Sequence, residues 1–254
     1  MKISKDKKLC EEYIGKHPVI SISLKGINAA SYEAAFELTV KTIKGAVQKA
    51  GFLKMSDKLD EDEKKEYRAI LDENMSEATL FWSLKNLSEL LEKHYETKVI
   101  LLIDEYDVPL AKAFENGYYD KMVFLIRNLL EQTLKTNNSL KFAVMTGCMR
   151  ISKESIFTGL NNLKVLSITD ERFDEYFGFT DEDVKEMLRY YDREDHYEEM
   201  RNWYDGYRFG STDVYCPWDV LNHCDKIKEN AAAFPENYWV HTSSNEAVKK
   251  IIQM

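Results

Sequence analysis

Four short runs of aliphatic and β-branched residues recur along the chain, at 18–24 (PVISISL), 98–103 (KVILLI), 141–146 (KFAVMT) and 164–168 (KVLSI). Each has the length and apolar character of a buried strand. The segments between them carry helical spacing instead. Phe36, Val40, Ile43 and Val47 fall on one face, as do Leu80, Leu84, Leu87 and Leu91, and then Met122, Leu125, Leu129 and Leu130. Strands alternating with helices predict an α/β fold with a parallel sheet covered on both sides. In 254 residues, 44% hydrophobic and 12% aromatic, there is enough apolar material for such a core.

Two stretches depart from this rhythm. Residues 55–76 are almost wholly polar, with DEDEKK at 60–65, and read as a solvated helical insertion between the first two strands. Beyond 168 the strand signal nearly vanishes. Thr180 caps an amphipathic helix over 180–191, with Asp181, Glu182 and Asp183 in its first turn. A second helix covers 194–204 and another follows Pro217. A boundary within 172–179 is therefore expected, dividing an α/β core at 1–172 from a small, mostly helical, lid-like or winged-helix-like domain at 173–254.

Charge narrows the partners. A net charge of −9 and a pI near 5.2 count against a nucleic-acid or membrane-surface binder, since either needs a basic face. The start, MKISKDKK, has no apolar signal core behind it, and no window approaches eighteen uninterrupted apolar residues. The expected location is the cytoplasm. Cys10, Cys148, Cys216 and Cys224 form no CxxC pair and read as reduced, mostly buried thiols. His17, His94, His196, His223 and His241 show no metal-ligand spacing and read as ordinary.

The main chemical signal is the second run, which passes from Val99 through Ile103 straight into Asp104, Glu105, Tyr106 and Asp107. In an open α/β sheet, ligands gather at the carboxyl ends of strands, where these acids would stand. An apolar strand ending in Asp-Glu is the Walker B pattern of ATPases. There the Asp holds Mg²⁺, directly or through water, and the Glu polarises the water that attacks the γ-phosphate. Asp107 is a further candidate oxygen ligand. The third run ends in Thr146-Gly147-Cys148-Met149-Arg150, and a polar residue there can contact the attacking water or the γ-phosphate as a sensor. Thr146 fits that slot. Arg150 stands where it could neutralise phosphate or pair with Asp107. A solvated strand end and surface ion pairing would account for the same residues without function. No lysine follows the acids at E-x-K spacing, which counts against a metal-dependent nuclease.

A phosphate cradle of the form G-x-x-x-x-G-K-[ST] is absent from the sequence. The Gly15-Lys16 pair has Cys10 where the first glycine belongs and His17 where the Mg²⁺-binding hydroxyl belongs.

Three segments together, IDEYDVPL at 103–110, TGCMRISKESIFTGLNNL at 146–163 and WYDGYRFG at 203–210, resemble the bacterial AAA-ATPase-like family. YCPWDVLN and YWVHTSSN extend the likeness over nearly the whole chain. The resemblance implies a P-loop NTPase core that binds ATP and Mg²⁺, followed in longer members by a PD-(D/E)XK nuclease-like domain. It implies Asp104 as the Mg²⁺-associated acid, Glu105 as catalytic base and Thr146 as sensor, with Arg150 and Arg208 at matching positions. Members carry an RRFGKT-like Walker A segment a few dozen residues before the position of Met1. The expected reading is thus an ATPase domain that is incomplete or inactive as this chain. The alternative is a non-catalytic protein-interaction module on a degenerate ATPase fold, with a protein partner or self-association. Trp203 to Gly210 reads either as aromatic core of the small domain or as a lid element bringing Arg208 to phosphates.

In the sheet order of such ATPases the phosphate-loop strand lies between the sensor strand and the last strand. Its absence predicts a gap between 141–146 and 164–168, with unpaired backbone groups on each side. The isolated chain should then be poorly stable, shift a strand to close the gap, or take in a partner strand.

Overall fold

The computed structural model describes residues 2–148, 157, 160 and 163–239. The chain divides into two compact units, Met1–Leu163 and Lys164–Met254.

The first unit is built on three parallel strands, β1 (Val19–Ser23), β2 (Val99–Asp104) and β3 (Leu140–Met145), in the order β1-β2-β3. Helix α1 (Lys7–Tyr13) precedes them. Between β1 and β2 lie α2 (Tyr32–Gln48), α3 (Glu61–Ile70) and α4 (Glu77–Tyr95); between β2 and β3 lie α5 (Val108–Glu115) and α6 (Tyr119–Leu134). Serine side chains open two of these helices: Ser31 accepts from the amide of Ala34, and Ser76 from that of Thr79. Both crossovers step the same way across the sheet. Right-handed connections therefore place both sets of helices on one face.

That face holds the core. Ile20 stands opposite Leu101 and Ile22 opposite Ile103, and all four are buried together with Ile43, Val47, Leu84, Leu87, Ile126 and Leu130. The expectation of a sheet covered on both sides is not met among the described residues. On the other face Val19, Leu102, Phe142 and Val144 are 37–52% exposed. Tyr13 at the end of α1 makes an edge contact with Phe142, ring centroids 6.2 Å apart. The physical reason is topological: no described crossover runs back across the sheet, so no helix is delivered to that side.

The expected fourth strand is also missing. Residues 164–168 form no strand, and Val165, Leu166 and Ile168 are exposed. A strand exists only with a ladder partner, and among the described residues β3 is the edge of its sheet.

The polar insertion is anchored rather than fully solvated. Asp60 accepts from the Glu63 amide at 2.9 Å while its own amide donates to Glu63 Oε2 at 2.8 Å, which starts α3 with a capping box. Tyr67 and Ile70, three residues apart on this helix, are completely buried, and the Tyr67 hydroxyl donates to the Val47 carbonyl at 2.9 Å.

The second unit contains α7 (Asp181–Tyr190), α8 (Tyr197–Tyr204), an antiparallel hairpin of β4 (Asp205–Phe209) and β5 (Thr212–Tyr215), and α9 (Pro217–Glu229). Thr180 and Asp183 form a reciprocal cap at the start of α7. Val184, Leu188, Met200, Tyr204, Val220 and Ile227 are among its buried core. The segment 203–210 is not a packed aromatic cluster: Tyr204 is buried, but Trp203 and Tyr207 are exposed. The motif spans a helix end and a strand, so its side chains are sent in different directions. Gly210 turns the hairpin at φ +51°, where a Cβ would lie 2.6 Å from the Asp170 carbonyl oxygen. No helix among the described residues is long and apolar enough to cross a membrane.

Candidate functional site

Parallel pairing brings the carboxyl ends of β1, β2 and β3 to one edge of the sheet, where α/β proteins bind ligands. The ladder continues past the strand ends. The Leu24 amide donates to the Asp104 carbonyl at 2.9 Å, the Thr146 amide to the Ile103 carbonyl at 2.9 Å, and the Tyr106 amide to the Thr146 carbonyl at 3.1 Å. This fixes Asp104 and Thr146 side by side, and the Thr146 hydroxyl donates to Asp104 Oδ1.

The chain leaves the sheet at Glu105, whose φ of +53° lies in the left-handed region. Such a conformation costs a non-glycine residue on the order of 1–3 kcal/mol; Glu96, Thr136, Phe173 and Asp192 share it, Glu96 as a helix C-cap. Glu105 Oε2 is buried without a hydrogen-bond partner among the described residues. Its Oε1 stands 3.8 Å from Nζ of the exposed Lys25, a loose surface pair worth under about 1 kcal/mol.

Asp107 is buried and does structural work. Its Oδ2 accepts from the Cys148 amide at 3.0 Å, and its carbonyl accepts from the Leu110 and Ala111 amides in the first turn of α5. The loop after β3 is thereby stapled to the end of β2. Gly147 permits the approach: a Cβ there would lie 2.7 Å from Asp107 Oδ1 and 2.8 Å from Tyr106 Cε1. Tyr106 packs edge-on to Phe157 at 5.4 Å. The site is electronegative. Burial, and then the charges of Asp107, Glu105 and Asp104, push the Cys148 thiol above its ordinary range.

Of the residues singled out in the sequence, Asp104, Glu105, Asp107 and Thr146 are gathered at this edge. Arg150 lies outside the described residues. Arg208 lies on β4 in the second unit, where its Nη1 donates to Asp213 Oδ1 across the hairpin at 3.0 Å, both side chains being exposed. Gly15 and Lys16 follow the C-terminal end of α1, the wrong end of a helix for a phosphate cradle. Hard carboxylate oxygens and a hydroxyl suit Mg²⁺, and a buried, unpartnered carboxylate oxygen suits a water awaiting polarisation.

Sequence reasoning missed the staple between Asp107 and the Cys148 amide, although the Thr-Gly pair that makes room for it at the strand end was its visible trace. It also missed Lys25, which follows the first strand at the same edge. His196 and His223 converge on Glu199, a pattern split between an H-x-x-E step and a helix twenty-four residues on.

A match of 137 residues at 33% identity links the chain to an uncharacterized protein in the vnfD 5′ region of Azotobacter chroococcum mcd 1. It covers 49% of this chain and 24% of that protein, so the match spans about a quarter of the relative's length. No solved structure matches the chain at a significant level. The sequence profile of the family described as Predicted AAA-ATPase matches residues 2–157, and the chain belongs to that AAA-ATPase-like family.

Proposed function

We propose that the first unit is the acidic half of an ATP-hydrolysing centre, completed by a strand, phosphate loop and helix outside these 254 residues. The observation that carries this reading is the juxtaposition of Asp104, Glu105 and Thr146 at the ligand edge of a parallel sheet. Asp104 holds the Mg²⁺-associated position, with Thr146 orienting its carboxylate. Glu105 is aimed by its left-handed backbone to take a proton from the attacking water. Bound Mg²⁺ and ATP would supply the electrophilic phosphorus and the charge neutralisation. Arg150 and Arg208 are candidate phosphate contacts in the complete assembly.

The sheet itself supports the form of the missing piece. A parallel strand added beyond β3 would satisfy its open edge. To connect onward to β1 the chain must step back across the whole sheet, opposite to the described crossovers. A right-handed connection then lays its helix on the face where Val19, Leu102, Phe142 and Val144 are bare. One strand–loop–helix unit thus accounts for the open edge and the open face together, and it puts the loop beside Thr146.

The open β3 edge also favours a second reading, in which a protein partner donates the strand and no hydrolysis follows. The two readings separate in one experiment. The chain is assayed for ATP–Mg²⁺ binding and phosphate release, alone and with a family phosphate-loop segment fused ahead of Met1. The ATPase reading expects turnover only in the fusion, with Glu105→Gln abolishing turnover while nucleotide still binds. A folded fusion that binds no nucleotide, or hydrolysis indifferent to Glu105→Gln, overturns it.

A further inference from the structure

The second unit holds a cluster that the ATPase reading does not use. A 3₁₀ turn at Glu194–His196 leads into α8, so His196 and Glu199 lie one helical turn apart; His223 comes from α9, packed alongside. Glu199 Oε1 is 2.9 Å from His223 Nε2 and 3.5 Å from His196 Nδ1. The three donor atoms all lie within 4.8 Å of one another. The two imidazoles are tilted at 71° with centroids 6.3 Å apart, so they meet the carboxylate from different directions rather than stacking.

We infer that His196, Glu199 and His223 form a binding site for a single divalent transition-metal ion, with Zn²⁺ the best match to the donor set. Bonds of 2.0–2.2 Å around a tetrahedral Zn²⁺ set neighbouring donors about 3.4 Å apart. The two distances to Glu199, 2.9 and 3.5 Å, bracket that value, while the two imidazole nitrogens, within 4.8 Å of each other, must draw in to share an ion. The ring of His223 can take up the ligating form. As it stands its Nε2–H donates to Glu199, and Nδ1, which has no partner among the described residues, can carry the ring proton once Nε2 gives it up to an ion. Neutral imidazole is the ligating species.

The surroundings fit as well. The far nitrogen of His196, Nε2, lies 3.9 Å from Oδ2 of the exposed Asp195, beyond hydrogen-bond distance but close enough for that carboxylate to add negative charge beside the ring. The Tyr204 ring lies beside His223, centroids 5.6 Å apart, and walls the inner side. Glu199 is 36% exposed, which leaves a route for the ion and a fourth position for water. A hydrogen-bonded core triad without metal would use the same carboxylate, so metal uptake decides between them. The bound ion would clamp α8 to α9, and the inference does not depend on the ATPase reading.

The test uses the untagged full chain, stripped of metal and titrated with Co²⁺ and then Zn²⁺. One equivalent of Co²⁺ should give the visible absorption of a four- or five-coordinate nitrogen and oxygen site, and Zn²⁺ should bleach it. The melting temperature should rise with Zn²⁺. His196→Ala, at a buried position, and Glu199→Gln, at a partly exposed one, should each weaken Zn²⁺ binding at least about tenfold, since loss of even a supporting partner costs 10–100-fold. Far-UV circular dichroism confirms that they fold; His223→Ala, in the core, is not relied on. Failure of the folded parent to take up either ion overturns the inference. Uptake by both folded variants equal to the parent's does the same, because it places the ion elsewhere.

Discussion

The hydroxyl of Thr146 donates to the carboxylate of Asp104, so the tips of β3 and β2 are joined through side chains as well as through the ladder. Thr146→Val keeps the shape and removes the donor. A bond of this kind contributes about 1 kcal/mol when partly solvated. Urea unfolding should show a loss of that order for Thr146→Val and almost none for Thr146→Ser.

Gly147 is the position where the site tolerates least. A methyl group there meets Asp107 Oδ1 and Tyr106 Cε1 well inside contact distance. Gly147→Ala should cost about 1–3 kcal/mol, as overpacking does elsewhere. Gly45 offers the opposite case, since it lies inside α2 with nothing within 4 Å of a built Cβ. Gly45→Ala should stabilise by up to about 1 kcal/mol through helix propensity. Paired thermal melts would check both signs.

The open edge of β3 has an alternating signature. The Thr146 amide points to β2, and with a period of two so does that of Val144, leaving Ala143 and Met145 facing outward. Amide exchange in the isolated chain should be at least about tenfold faster at Ala143 and Met145 than at Val144 and Thr146. Fusion of the phosphate-loop segment should slow the first pair to match the second. Equal protection of all four in a dilute monomer would show that the edge is already paired.

In the second unit Asp181 accepts from Lys185 at 2.6 Å, Tyr197 at 2.7 Å and Tyr215 at 2.9 Å. Burial alone would raise its pKa, but these three donors outweigh it and hold the carboxyl below the ordinary value of 3.8. A depressed folded-state pKa contributes stability that is present above pH 3.8 and lost as pH falls through the lower folded value. Asp181→Asn should therefore be less stable than the parent at pH 7, and the difference should shrink toward zero as the pH is taken below that window. Denaturant melts at pH 7, 4 and 3 would read it.

The parts of the fold legible in the sequence were those specified locally. Val99 to Asp104 reads as a strand because its apolar run is bounded on both sides, and Thr180 reads as a cap because Asp183 answers it three residues later. The run at 164–168 has equally good composition but forms no strand, since pairing depends on a neighbour that its own residues cannot encode. The bare face of the sheet was hidden for the same reason: Leu102 and Val144 look like core until the direction of the crossovers is known. At the site, Asp104 and Glu105 announced themselves by position. The role of Asp107 as a staple did not, because it depends on the Cys148 amide forty-one residues away. The histidine cluster was invisible for the same geometric reason, since its third donor comes from a different helix.

The ladder bonds that hold Asp104 and Thr146 are all made within the first unit. On the proposed ATPase reading, Asp104 and Glu105 can accordingly take up their places during folding, before nucleotide or metal arrives. Completing the proposed centre would then be a docking event onto a prepared surface, its rate set by delivery of the proposed strand rather than by rearrangement of the acids.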